Sequence, residues 1–477
     1  MPLTSLPLIS LFASQKGQTK AEKMCGMLRQ LIIRGALRQG ERLPSSRLLA
    51  SDLSLSRVTV EAAYGQLESE GYLRREIGRG TFVAVVLPDG ALKKKSACAL
   101  SPLISARGRQ IIATDGCREP PFPQAFAAGS PDLNAFPHVI WRRLMNQRLR
   151  NTPSALHSYG DPQGHSELRE AVARYLALSR GVRCEAEQVM ILTSSQQALH
   201  MLALLLCNDG DAVWMEEPGY RGARNAFLVA NAQLEALPVD NEGARLPAAP
   251  TARLAYLTPA HQYPLGMTMT LARRLQWLEF ARRHSCWLIE DDYDSEFYYH
   301  DRPLPALQGL DEHNRVLYLG TFSKVLFPSL RLAYLVVPPA LIDPLCRLRS
   351  VMDGHSAQLM QVVTADFINN GHFQAHLRLM RRLYGSRRET LLNELNMKLG
   401  DKLLIVPHES GLQLTVTLPG NDEQQLTRRA GDSGLVLPRL SPLYHGEPQR
   451  HGWLLGFSAL RSAEIVNAVE TLARCFR

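Results

Sequence analysis

Beyond about residue 122 the sequence alternates short apolar runs with helical segments, and that alternation constrains the fold more than any other feature. The runs are Gln188–Leu192, Ala212–Glu216, Leu254–Leu257, Cys286–Glu290, Val316–Leu319 and Leu332–Val336. Short strands separated by helices predict an α/β domain on a mainly parallel sheet. In open sheets of this kind the ligand lies beyond the C-terminal ends of the strands. Polar residues collect just after these runs, so they are expected to converge.

Three clusters carry chemistry. Thr193-Ser194-Ser195-Gln196-Gln197 opens a long apolar helix. Hydroxyls and free backbone N–H groups at a helix start suit a phosphate, although an ordinary helix cap reads the same. In Glu290-Asp291-Asp292-Tyr293, Asp291 and Tyr293 face one way while the chain stays extended. A buried carboxylate there can pair with a protonated pyridine nitrogen, and a phenol can bond a phenolate oxygen, as a pyridoxal ring requires. An acidic turn at a strand end is the bland alternative. Gly320-Thr321-Phe322-Ser323-Lys324 follows, with Arg331 seven residues later. A lysine can form a Schiff base with an aldehyde, and Thr321, Ser323 and the Arg331 fork can hold a phosphate. Together these groups argue against Lys324 being an ordinary surface lysine.

The first quarter has a different pattern. Met24, Met27, Leu28, Leu31 and Ile32 form one apolar stripe on a predicted helix from Lys20 to Arg34. Ser45 is expected to cap a second helix ending near Leu53, with Leu48, Leu49 and Leu53 inward. Ser56 is expected to cap a third from Arg57 to about Glu70, with Val58, Ala62 and Leu67 inward. Strands around Tyr72–Arg74 and Thr81–Val83 follow, joined through Gly78-Arg79-Gly80. Three helices and a glycine-tipped hairpin describe a winged helix-turn-helix over residues 16–85. Its recognition helix enters the major groove by its N-terminus, which places Arg57 and Thr59 at base edges. Arg42, Ser46 and Arg47 are candidates for phosphate or base contacts, and Arg79 for a minor groove.

Charge supports a polyanion partner. Residues 1–110 hold 17 Lys and Arg against 8 Asp and Glu, whereas residues 111–477 hold 37 of each. All the excess positive charge therefore sits on the predicted DNA-binding quarter. Residues 86–121, rich in Ala, Ser, Lys and Pro and including Lys93-Lys94-Lys95, read as a linker. No run of about 18 apolar residues predicts a membrane span. The 8 cysteines lie far apart without zinc-ligand spacing, so no metal site and a cytoplasmic, reduced state are expected.

The stretch Gly40–Val83 closely resembles the GntR-type winged helix, meeting its "L-P-S-S-R", "S-R-x-T-V" and "G-x-G-T-F-V" blocks without a gap. The resemblance implies specific duplex DNA binding, normally as a dimer on two half-sites. The segment Leu319–Tyr334 resembles the fold-type I aminotransferase signature around the cofactor lysine. Tyr159–Gly164, Glu217–Tyr220 and His261–Gly266 match further blocks in order. That similarity implies pyridoxal 5'-phosphate (PLP) as cofactor over residues 122–477, with a C-terminal small subdomain from about 365. It gives Lys324 the Schiff base, Asp291 the ring nitrogen and Tyr293 the ring oxygen. Tyr220 stacks on the ring, and Ser195, Gln196, Ser323 and Arg331 surround the phosphate. Tyr159 reaches the partner subunit's phosphate, which implies a homodimer. The two domains in this order resemble the MocR/GabR regulators.

One departure bears on activity. Related aminotransferases place an arginine three residues before a Phe-Ser pair to clamp the substrate carboxylate; here, before Phe457-Ser458, that position is Leu454. Leucine cannot form a bidentate carboxylate pair. The effector therefore lacks that carboxylate, or another arginine supplies the contact, or the effector is PLP itself. The expectation is a PLP-dependent transcription regulator with at most weak transaminase activity; a working aminotransferase carrying a DNA-binding domain is the alternative. Ser194 also stands where the phosphate loop usually has glycine.

Overall fold

The computed structural model describes residues 8–15, 17, 19–84, 104–114, 116, 124–151, 154–299, 304–420 and 422–476. The chain divides into two compact units, Met1–Leu103 and Ile104–Arg477.

The first unit contains helices α1 (Leu8–Ala13), α2 (Lys20–Ile33), α3 (Ser46–Asp52) and α4 (Arg57–Ser69), then strands β1 (Leu73–Glu76) and β2 (Gly80–Val83). Each start has its chemical reason. Thr19 and Glu22 form a reciprocal capping box on α2. The Ser45 and Ser56 side chains accept from the backbone of Leu48 and Thr59, as the sequence predicts. The α2 stripe packs against Val60, Ala63, Tyr64 and Leu67 of α4.

The inward face of α4 differs from expectation. Val58 is 78% exposed, and Ala62 is also exposed. The stripe at positions 60, 63, 64 and 67 follows helical spacing and turns both residues outward. Leu48 likewise faces solvent at 49% exposure, while Leu49 and Leu53 are buried. The antiparallel β1–β2 hairpin forms the wing, and Arg42 bridges to Phe82 as a third short edge. At Gly80, φ is +119° and an added Cβ would lie 2.8 Å from Arg42 Nε, so glycine is required for this approach.

In the second unit, β3 (Val189–Leu192), β4 (Ala212–Glu217), β5 (Gln233–Asp240), β6 (Gly243–Ala244), β7 (Leu254–Leu257), β8 (Trp287–Asp292), β9 (Val316–Thr321) and β10 (Ala333–Val336) form one sheet. Its order is β3-β10-β9-β8-β7-β4-β5-β6. The run β5-β4-β7-β8-β9 is parallel. Strand β10 runs antiparallel to both β9 and β3, and β6 to β5. A second, antiparallel sheet contains β11 (Leu404–Ile405), β12 (Gln413–Leu418) and β13 (His451–Gly456). Helices His372–Leu399 and Ser462–Cys475 pack together beside it, contributing buried Leu391, Leu395, Val469 and Leu472.

The expected linker is partly structured. Ala106–Ala113 is a helix capped by Ser105, and it packs on Arg221–Val229 of the second unit. Its isoleucines are outward, Ile111 at 43% and Ile112 at 62% exposure, which hides the helix from a search for an apolar stripe. Lys93–Lys95 lie outside the described residues.

Candidate functional site

The C-terminal ends of β3, β4, β7, β8 and β9 deliver polar segments to one edge of the large sheet. Of the three consecutive acids closing β8, two are already committed. Glu290 accepts from the backbone N–H groups of Leu307 and Gln308. Asp292 takes a buried Arg180 at 2.7 Å and the Tyr318 hydroxyl at 2.7 Å. Asp291 points the other way, as strand alternation requires. It is 5% exposed and accepts from the Tyr256 hydroxyl at 2.6 Å, with no ion pair to a described residue. Burial pushes its pKa up to about 7, against the opposing pull of Tyr256 and Lys324.

Lys324 lies in the turn after β9, where Ser323 N donates to Thr321 Oγ1 at 3.1 Å. A Cβ added to Gly129 would lie 2.6 Å from Lys324 Nζ, and Gly129 has φ +67°. The missing side chain is what lets the amine lie this close to the backbone. Arg331 adopts a left-handed φ of +54°, a conformation that costs a non-glycine residue about 1 kcal/mol or more. It is exposed; its backbone N–H donates to Pro328 O at 3.4 Å, and its guanidinium makes no hydrogen bond or ion pair with a described residue.

Helix Ser195–Leu206 is capped by Ser194, whose side chain accepts from Gln197 N at 3.1 Å. Ser194 thus occupies an extended backbone that any residue adopts, and it supplies the cap itself. Gln196 donates to Gly222 O at 2.8 Å, while its Oε1 is buried without a partner. Tyr220 meets Tyr263 edge-on at 5.7 Å, and Tyr263 meets Tyr293 at 5.8 Å. Tyr293 has its hydroxyl 3.1 Å from His261 Nδ1. Tyr159 stands apart at 97% exposure; its ring meets His355 edge-on at 6.2 Å, and its carbonyl accepts from Ser158 Oγ at 3.3 Å.

Several groups at this edge escaped the sequence reading. Glu216 is buried at the end of β4 and accepts from Thr258 Oγ1 and from Gln262 Nε2. Its Oε1 has no partner among the described residues, and burial raises its pKa to about 7. Tyr256, Tyr263, His261 and Asp294 also belong here. The polar and aromatic content of the segment after β7 was the available signal. Tyr256 and Glu216 carried none, since each reads as part of an apolar run.

Leu454 on β13 is 1% exposed and packs with Leu265, Leu440, Leu443 and Tyr444, with Tyr263 at the margin. Arg387 is spent on Asp132 at 2.8 Å and on Ser458 O.

On the winged helix, Arg42, Arg47, Arg57 and Arg79 are all exposed. Arg79 pairs with Glu76 at 2.9 Å across the wing tip, an exposed contact worth little. Thr59 shares a 2.7 Å hydroxyl contact with Ser56. Ser46 differs from the others: it is 8% exposed, and its hydroxyl bonds to Glu61, lowering that carboxyl's pKa.

The pattern described as "Bacterial regulatory proteins, gntR family" matches residues 20–83. That described as "Aminotransferase class I and II" matches residues 126–470. The "Probable rhizopine catabolism regulatory protein MocR" of Rhizobium meliloti is 40% identical over 94% of this chain and 92% of its own length. The chain is a MocR-type transcription regulator. A second relative, the "HTH-type pyridoxine biosynthesis transcriptional regulator PdxR" of Corynebacterium glutamicum, is 31% identical over 91% of this chain and 90% of its own. Among solved structures, the kynurenine aminotransferase of Pyrococcus horikoshii, with PMP, is 26% identical with a TM-score of 0.70. It covers 81% of this MocR-type chain and 98% of its own. LysN of Thermus thermophilus, with a phosphopyridoxyl-leucine, is 27% identical with a TM-score of 0.69, covering 78% and 94%.

PLP is the cofactor of this fold, and the residues fit it. Among the described residues a buried carboxylate lacks a cation and an arginine side chain lacks an anion, and the lysine amine lies against a glycine that no other residue could replace without a clash. No helix among the described residues is long and apolar enough to cross a membrane.

Buried carboxyls with raised pKa values give a pH dependence, Asp291 and Glu216 at this edge together with Glu296 and Glu290. Asp291 and Glu216 sit near 7 in the folded state, above the ordinary carboxylate value of about 4. Between about pH 4 and 7 the folded chain holds these protons more tightly than the unfolded one. Stability from these groups is therefore full below about pH 4 and is lost as pH rises through about 7. Cofactor-free protein is expected to melt lower at pH 8 than at pH 6, and Asp291→Asn to flatten that slope. A melting temperature of the Asp291→Asn protein with the wild-type pH slope would contradict the assignment.

Proposed function

We propose that this regulator is a homodimer whose large domain holds PLP on Lys324 and whose operator affinity responds to PLP, or to an amine that reacts with it. The observation that carries this reading is the meeting of Asp291, Tyr293 and Lys324 at one sheet edge in a chain that begins with a winged helix. PLP supplies an aldehyde that condenses with amines and a ring that withdraws electrons. The chain supplies the rest. Asp291 holds the ring nitrogen's proton, Tyr293 donates to the ring oxygen, and Tyr220 covers the ring face. Ser195, Gln196, Ser323 and Arg331 receive the phosphate. The near-complete exposure of Tyr159 suits a residue completed by a second copy, which it would serve at the partner's phosphate.

Base reading is assigned to Arg57 and Thr59, with Arg42, Arg47 and Arg79 on phosphates or groove edges and Ser46 acting at most through Glu61. Arg57→Ala is expected to cost about 1–3 kcal/mol of sequence discrimination while leaving PLP uptake intact. A mobility-shift titration with unchanged affinity and preference would remove Arg57 from the readout.

The second reading, a working aminotransferase with a DNA-binding domain, draws on the same cofactor residues. Leu454 opposes it, and the pyridoxine-related name of one relative favours PLP itself as effector. A steady-state assay with a panel of amino acids and 2-oxo acids separates the two. Turnover above about 1 per second, typical of enzymes, would favour the enzyme; sub-threshold turnover with retained PLP favours the sensor.

A further inference from the structure

We infer that Asp294 and His261 form a positioning pair that frees the Tyr293 hydroxyl to donate to the cofactor's ring oxygen. The inference rests on the PLP reading above and concerns two residues to which that reading gives no role.

His261 is 4% and Asp294 2% exposed. His261 Nδ1 lies 2.9 and 3.2 Å from the two Asp294 oxygens and 3.1 Å from the Tyr293 hydroxyl. An ionised carboxylate can only accept, so the proton of this three-way contact belongs on Nδ1. That N–H donates to Asp294 and is shared toward the Tyr293 oxygen. The Tyr293 oxygen is then an acceptor at this contact, and its single hydrogen is free to point elsewhere. With the proton on Nε2 instead, the Nδ1 lone pair would face the carboxylate, and Tyr293 would spend its hydrogen on Nδ1. Nε2 is buried without a partner among the described residues. The Nδ1–H tautomer leaves a bare lone pair there, whereas the Nε2–H tautomer would bury an unpaired N–H and set the Nδ1 lone pair against the Asp294 oxygens. A carboxylate that fixes a histidine tautomer to serve a neighbouring hydroxyl is a general device.

The surroundings keep the pair in place. The His261 ring stacks on Tyr293 at 5.7 Å and meets His408 at 5.1 Å. Burial pushes His408 down to about 3, so it is a neutral neighbour; Arg388 lies beyond it and donates to its carbonyl. Asp291, Glu216 and Tyr263 also act electrostatically on Tyr293, each opposing its ionisation. Gly411, at φ +86°, closes the pair from above, where an added Cβ would overlap the His261 ring.

The test reads the pH midpoint of the visible band of intact, PLP-loaded protein, compared among wild type, Tyr293→Phe, Asp294→Asn and the double variant. A phenol donating to the ring oxygen stabilises its negative charge, and losing it is expected to move the midpoint upward by about 1 unit. Asp294→Asn is expected to move it in the same direction by at least half as much. The double variant is expected to match Tyr293→Phe alone, because both changes remove one interaction. An unmoved midpoint in Asp294→Asn, or shifts that add in full, overturns the pair. A wild-type protein without a visible band would overturn the PLP reading as well, so the two failures are distinguishable. Nitrogen-15 shifts of His261 in wild-type protein need no variant: a protonated Nδ1 with a bare Nε2 is expected, and the opposite tautomer overturns the inference.

Discussion

Lys324→Ala protein is expected to emerge colourless from a purification that yields yellow wild type. The wild-type visible band is expected to disappear on borohydride reduction, with the label on Lys324. The reason is geometric. Lys324 packs its amine so closely on Gly129 that any side chain there would collide with it, and it lies within electrostatic reach of Asp291. Arg331 still provides an anion site without the lysine, so the variant is expected to retain weak, reversible PLP binding. Removing the covalent link leaves only non-covalent contacts. A reducible adduct of equal yield in Lys324→Ala, on any other lysine, would show that the assignment is wrong.

The second large effect concerns amino acids. Leu454 sits in an apolar cluster with Leu265, Leu440, Leu443 and Tyr444. A carboxylate placed against that wall loses water without gaining a partner. Losing one side of a buried charged pair costs roughly 2–5 kcal/mol, which is about 30- to several-thousand-fold in affinity. Alanine, glutamate and aspartate are therefore expected to perturb the visible spectrum only weakly and to convert the cofactor very slowly. Tight saturation with rapid conversion to the pyridoxamine form would contradict this, and would require another arginine to hold the carboxylate.

Much of this architecture was legible in the sequence because the physics was local. The six buried strands announce themselves as apolar runs, and Ser45 and Ser56 announce helix starts through their hydroxyls. Strand β5 did not. It lies near the sheet margin, largely half-exposed, and contains Pro238, so it lacks the continuous apolar run of a central strand. The antiparallel direction of β10 was equally hidden, since a strand's residues do not encode its direction. On α4, Val58 and Ala62 were misplaced because three apolar residues fit more than one helical stripe. The true one is fixed by Tyr64, whose hydroxyl donates to Pro44 O at 2.8 Å.

The site was legible where its residues break an apolar pattern. Lys324, Asp291 and Tyr293 follow strands and look out of place there. Glu216 and Tyr256 do not, because a lone acid or phenol within a strand reads as ordinary; only the fold brings them to Asp291 and Thr258. His261 and Asp294 lie 33 residues apart in sequence, and nothing short of tertiary structure pairs them.

The most direct test of the account is an operator titration of apoprotein, with and without PLP, at fixed salt and with Lys324→Ala in parallel. A ligand changes operator affinity only if it binds the DNA-competent and incompetent states unequally, and such couplings amount to about 1–3 kcal/mol. A shift of roughly fivefold or more is expected for wild type and a much smaller one for Lys324→Ala. Identical operator affinity and footprint with and without PLP, in wild-type protein shown to be loaded by its visible band, would contradict it.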